Sequence, residues 1–185
     1  MTQFTVPGLS EKESGEVAEL LQKALSRYND LHLTLKHVHW NVVGPNFIGV
    51  HEMIDPQVEL VRGYADEVAE RIATLGRSPL GTPGAILNDR TWDDYSVERD
   101  TVQAHLAALD LVYTGVIEDT RKSIERVGDL DPITEDILIA HSAELEKFQW
   151  FVRAHLENAG GQLANDGAKT EKAAASRAKK KSPVK

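Results

Sequence analysis

His39, His51, Asp55, Asp66 and Glu70 are the residues of this chain best suited to chemistry. Imidazole nitrogens and carboxylate oxygens, without thiolate, are the donors that hold iron and other first-row metals. Their spacing poses a problem. His51 and Asp66 fall on one predicted helix, and the fifteen positions that separate them span roughly 22 Å at a rise of about 1.5 Å per residue, too far for one ion. Two copies of the helix running antiparallel across a two-fold axis resolve it, because His51 of one copy then meets Asp66 of the other. The spacing thus ties a metal site to a helical fold and to a dimer. On the same helix His51, Asp55, Glu59, Arg62, Asp66 and Glu70 recur at steps of three and four, forming one long polar face. A solvated charged face has the same pattern. What it does not require is a histidine within it and a second one, His39, just before the turn that leads into it.

Four long amphipathic patterns must position these residues, and no convincing strand accompanies them. The first predicted helix runs from about Ser10 to Val42, opened by the capping-box pair Ser10 and Glu13 and closed by Gly44-Pro45. The second runs from about Phe47 to Leu75, with an apolar stripe of Phe47, Val50, Ile54, Val58, Val61, Ala65, Val68, Ile72 and Leu75, and Gly76 stands at its left-handed end. Residues 77–94 read as a crossover with a short helical piece near Pro83–Leu87. A third helix spans about Ser96 to Val127 and is closed by Gly128. A fourth starts at Asp131-Pro132, an N-cap followed by an N1 proline, and stops at Gly160-Gly161. An all-α, ferritin-like four-helix bundle with one long crossover between the second and third helices accommodates all of this.

A bundle of this kind can instead hold two irons inside one subunit, which requires Glu-x-x-His motifs. None of the seven histidines has glutamate three residues before it. The site between subunits is therefore the better candidate.

The residues His39-Trp40-Asn41-Val42-Val43-Gly44-Pro45-Asn46-Phe47, then Val50-His51-Glu52-Met53-Ile54-Asp55, then Asp66-Glu67-Val68-Ala69-Glu70-Arg71 with Leu75-Gly76, resemble the Dps family of miniferritins. The similarity covers about residues 10–160. It implies a hollow homododecamer with ferroxidase sites at two-fold interfaces, His39 and His51 coming from one subunit and Asp66 and Glu70 from its partner, with Asp55 as a further carboxylate. It also implies a ferroxidase that oxidises Fe(II), preferably with hydrogen peroxide, at two irons per site and keeps ferric mineral in the cavity. Glu70 is then the candidate bridge between the irons. Trp40 is either an electron donor beside a ligand or a core aromatic at the dimer seam. Glu59 either nucleates mineral or pairs with a neighbouring arginine. Asp129, Asp131, Glu135 and Asp136 either line pores or are helix-terminal charges, with Asp131 better explained as a cap.

The 185 residues carry a formal charge of -8 that is unevenly distributed. Residues 165–185 hold seven basic residues (Lys169, Lys172, Arg177, Lys179, Lys180, Lys181 and Lys185) against Asp166 and Glu171, a net +5 that leaves -13 on the remainder. An acidic body attracts cations and repels nucleic acid, and a basic Ala/Lys-rich tail is expected to be disordered. The organisation read from this is a short extension (1–9), a bundle (10–164) and a disordered basic tail (165–185). The tail has no aromatic residue for base stacking, so its binding to double-stranded DNA would be phosphate-directed and independent of sequence. Cysteine is absent, which excludes disulfides and thiolate sites. Neither a leader nor a membrane span is apparent, so a cytoplasmic, nucleoid-associated protein is expected. Two other functions fit the residues: a structural nucleoid-compacting protein whose metal only holds the dimer, and an iron store that does not contact DNA.

Overall fold

A computed structural model of the chain describes residues 6–181. Lys185, one of the tail cations, and the first five residues of the N-terminal extension lie outside the described residues. The element order is α1 (Glu11–Asn41), β1 (Val42–Val43), α2 (Phe47–Thr74), α3 (Pro83–Asp89), β2 (Asp100–Thr101), α4 (Val102–Gly128), α5 (Pro132–Ala154) and α6 (Glu171–Lys181). No helix among the described residues is long and apolar enough to cross a membrane.

The helix boundaries follow local chemistry. At the start of α1 the Ser10 amide donates to the Glu13 carboxylate at 2.8 Å and the Glu13 amide to the Ser10 hydroxyl at 3.2 Å, which satisfies two otherwise orphaned donors. Gly76 ends α2 with φ of 78°, a conformation that a residue without Cβ adopts freely. Within α2, Pro56 supplies no amide hydrogen. The next residue, Gln57, donates from its side chain to the Met53 carbonyl at 3.0 Å and accepts from the Tyr113 hydroxyl at 2.6 Å, tying this stretch of α2 to α4.

The chain divides into two compact units, each drawing on all four long helices. The first comprises Met1–Leu33, Glu59–Trp92 and Glu118–Ala143. Its interior buries Val17, Leu21, Tyr28, Leu31, Val61, Val68, Ile72, Leu75, Val127 and Leu138. The second comprises Thr34–Val58, Asp93–Ile117 and Glu144–Lys185, and buries Leu35, Val38, Val50, Ile54, Leu106, Leu109, Tyr113, Leu145, Phe148 and Val152. The buried residues of α2 recur at the three- and four-residue steps of the predicted stripe, although Phe47 itself is exposed.

Three expectations need correction. First, the third long helix begins at Val102 rather than near Ser96, because Asp100 and Thr101 pair in parallel with Val42 and Val43. The Thr101 hydroxyl then accepts from the Ala104 amide at 3.4 Å and starts α4. Second, the fourth ends at Ala154, short of Gly160, because the amides of His155 and Leu156 turn to the carbonyls three residues back. Third, the tail is not disordered throughout, since Glu171–Lys181 forms α6. Thr170 caps this helix through the Ala173 amide at 3.3 Å, and Ala174, Ala175 and Ala178 are buried on one face. Large apolar residues are unnecessary here, because Ala175 packs into a cluster with Val97, Ala104 and Ala108 where small side chains allow close approach.

Candidate metal centre

His39 lies near the end of α1 and His51 in the first turns of α2, joined by a tight connection. Gly44 (φ 94°) and Asn46 (φ 63°) both adopt left-handed backbone there, conformations open to glycine and tolerated by asparagine. The Phe47 amide closes the turn on the Gly44 carbonyl at 3.1 Å. The result is a reciprocal pair. His39 Nδ1 lies 3.1 Å from the carbonyl oxygen of His51, and His51 Nδ1 lies 3.0 Å from the carbonyl oxygen of His39. The two rings stack with centroids 3.6 Å apart.

A carbonyl oxygen only accepts, so each Nδ1 must carry the proton and donate it. In the neutral rings the lone pair is thereby left on Nε2, the nitrogen free to bind a metal. Two backbone carbonyls thus set two tautomers.

Asp55, one turn beyond His51, brings its Oδ1 within 3.2 Å of His39 Nδ1 and 3.0 Å of Lys36 Nζ. The hydrogen bond from Lys36, followed by the field of His39, lowers the carboxyl below its ordinary value. Lys36 also lies 5.8 Å from the Trp40 ring centroid. Trp40 is 71 % exposed, which excludes a buried core position within its own chain. The only trace of Lys36 in the sequence is its place one turn before His39 and Trp40.

Asp66 and Glu70 stand on the same helix as His51 but in the other compact unit. Both are exposed, and neither has a partner among the described residues. Among those residues no three His, Asp or Glu side chains of a single chain form a metal-holding group. Beside them the helix is firmly tied. Arg71 pairs with the buried Asp131 at 2.6 Å and donates to the Thr134 hydroxyl at 2.9 Å. Glu67 accepts from the buried His141 at 2.9 Å. Burial opposes ionisation of Asp131, yet bonds from Thr134 and Arg71 outweigh it and lower its pKa. Asp131 is therefore a cap and ion-pair partner, as expected: its Oδ1 accepts from the Ile133 amide at 3.3 Å. Glu59 pairs with Arg62 at 3.3 Å on an exposed surface.

Three of the remaining histidines have their own structural contacts. His37 Nε2 meets the Val97 carbonyl at 2.9 Å, His105 Nδ1 meets the Tyr95 hydroxyl at 3.1 Å, and His155 Nδ1 meets the Phe151 carbonyl at 2.8 Å.

A family description for the ferritin-like domain matches residues 18–160. The DNA protection during starvation protein of Mycolicibacterium smegmatis is 80 % identical over 182 residues, covering 98 % of this chain and all of that protein. The chain belongs to the Dps family. Among solved structures, Mycobacterium smegmatis Dps superposes with a TM-score of 0.90 at 82 % identity, over 92 % of this chain and 97 % of the other. DpsA14 from Streptomyces coelicolor superposes with a TM-score of 0.86 at 60 % identity, over 88 % and 96 %. The ferritin-like architecture read from the helix pattern is therefore the fold of this Dps-family chain. Ferritin-like proteins as a family bind iron, and the curated relative is named for DNA protection during starvation.

Proposed function

We propose that this chain is an iron-oxidising and iron-storing miniferritin whose ferroxidase sites are completed across a two-fold interface, and whose basic C-terminal segment binds DNA without regard to sequence. The observation that carries the first part is the reciprocal tie of His39 and His51, which leaves both Nε2 lone pairs free, set against two bare carboxylates further along the same helix. His39, His51 and Asp55 of one subunit, with the partner subunit's Asp66 and Glu70, supply a mixed imidazole and carboxylate donor set suited to Fe(II) and Fe(III). Trp40, Phe47 and Ile48 around the imidazole pair are all exposed in the single chain, an apolar surface of the kind that a second copy covers.

The substrate is Fe(II), two ions per site. Two Fe(II) pass two electrons to one hydrogen peroxide, whose O–O bond breaks with uptake of two protons to give water, so no hydroxyl radical is released. The imidazoles hold the metal through neutral nitrogen. The carboxylates offset the growing positive charge and favour the harder Fe(III) product. Glu70 bridges, and the acidic body draws cations to the site and cavity. The closed shell is a homododecamer, and the site of action is the nucleoid in the cytoplasm.

Co-assembly tests the shared site. A His39→Ala/His51→Ala chain and an Asp66→Ala/Glu70→Ala chain are each expected to be inactive in Fe(II) oxidation. Mixed one to one and reassembled, they should regain about a quarter of wild-type activity, because half the dimers are mixed and each mixed dimer keeps one intact site of two. No recovery in verified mixed assemblies would place the site within one chain and sink the proposal.

DNA binding rests on the cations of the tail and on the name of the curated relative. Lys169, Lys172, Arg177, Lys179, Lys180 and Lys181 are all exposed. Deleting residues 165–185 should abolish retardation of duplex DNA while leaving iron oxidation intact. Retained retardation would reduce the function to iron storage with a different DNA surface.

A further inference from the structure

The C-terminal segment is anchored very unevenly. Up to Asn165 it is held by a buried carboxylate, Asp110, which accepts from Arg153 Nε at 2.6 Å, Gln149 Nε2 at 3.0 Å and Asn165 Nδ2 at 2.8 Å. Beyond Asn165 the chain turns back at Gly167, whose φ is 71°. The basic helix α6 then lies on the second compact unit through a small alanine face and a few polar ties. The Glu171 carboxylate accepts from the amide of Ser96 at 2.7 Å and from its hydroxyl at 2.9 Å.

Three of the tail cations are occupied in this arrangement. Lys179 pairs with Asp100 at 2.6 Å, Arg177 donates to the Asp166 carbonyl, and Lys181 donates to the Leu163 carbonyl at 3.4 Å. Lys172 and Lys180 face solvent without a partner among the described residues.

We propose that docking of α6 is a self-inhibitory contact: it keeps Arg177, Lys179 and Lys181 on the protein's own acceptors, and these cations reach phosphate only when the helix lifts. This rests on the reading of the tail as the DNA-binding segment. Three alanine side chains bury little apolar surface, so the contact is weak enough to reverse. A helix of eleven residues is marginal in water once undocked, so lifting also frees a flexible cationic strand that can follow a phosphate backbone. Duplex DNA presents a dense row of phosphates in place of one carboxylate and two carbonyls. Each additional cation on phosphate steepens the dependence of binding on salt. Apparent affinity is the intrinsic affinity reduced by the undocked fraction.

The natural chain has no cysteine, so an Ala104→Cys/Ala175→Cys variant would contain a single possible disulfide, joining α4 to α6 within one buried cluster without changing charge. In gel retardation of linear duplex DNA over a salt series, the oxidised form should bind at least about threefold more weakly than the same protein reduced, with a shallower salt slope. Equal or tighter binding by the oxidised form overturns the proposal. If the variant fails to fold or to cross-link, hydrogen exchange on the natural chain serves instead. Saturating duplex DNA should accelerate exchange of the α6 amides, and protection that persists or grows overturns the proposal. The 165–185 deletion separates the two failures: if it binds DNA like the full chain, the tail reading has failed, whereas loss of binding together with a silent disulfide removes only the self-inhibition.

Discussion

His39 and His51 have their ring nitrogens assigned by their own backbone, whereas Asp66 and Glu70, on the helix that carries His51, stand exposed and unpartnered among the described residues. The contrast follows from the chemistry of the groups. An imidazole binds metal through one of two inequivalent nitrogens, and the wrong tautomer presents a proton instead of a lone pair. A carboxylate has two equivalent oxygens and needs no such selection. The chain spends hydrogen bonds where an orientation must be chosen, and at the other end fixes only the helix, through Arg71–Asp131 and Glu67–His141.

The largest expected effect treats both ends alike. His51→Ala and Asp66→Ala should each lower Fe(II) oxidation about a hundredfold or more, read as initial rates with peroxide. A loss confined to the histidine variant would make the carboxylates mere surface charge. Asp55→Asn is expected to be milder, about tenfold, since it removes the negative charge that faces Lys36 and His39 but leaves both imidazole ties in place. If Asp55→Asn were as damaging as His51→Ala, Asp55 would belong among the essential ligands.

Stability should separate the two ends. Replacing His39 or His51 by alanine removes donors from backbone carbonyls and should cost about 1 kcal/mol in denaturant unfolding. Asp66→Asn with Glu70→Gln should stay within about 0.5 kcal/mol, because neither side chain has a hydrogen bond or ion pair to lose among the described residues. A destabilisation by the carboxylate pair equal to that of the histidines would mean the preorganisation is not one-sided.

The smallest effect is on pH. Burial lowers the pKa of His141, only partly opposed by Glu67, and burial likewise lowers that of His105. Each is depressed in the folded state, so its stabilising contribution is complete above the ordinary imidazole value of about 6.5 and disappears as pH falls through the lowered folded value. Melting temperature should therefore fall on acidification below that point. His141→Asn should flatten the fall, and Asp66→Asn should not.

Much of the fold was legible because helix-forming patterns are local. The Ser10–Glu13 capping box, Gly76 and Asp131-Pro132 each act within four residues, and the structure uses each as expected. Structure departs from local pattern where a distant partner intervenes. Nothing in Ser96–Thr101 announces that Asp100 and Thr101 will pair with Val42 and Val43. The tail's composition reads as unfolded because its alanines have no visible counterpart until Ala104 and Ala108 are brought beside them.

The chain alone determined the ligand types, the absence of an inward Glu-x-x-His motif and the separation of His51 from Asp66, because helix rise and period convert sequence spacing directly into distance. Tertiary structure decided which imidazole nitrogen is free, that Lys36 holds Asp55 and that Lys179 is occupied by Asp100. Those bonds join residues 12, 19 and 79 positions apart, and a hydrogen bond between remote residues leaves no trace in local periodicity until the chain has folded.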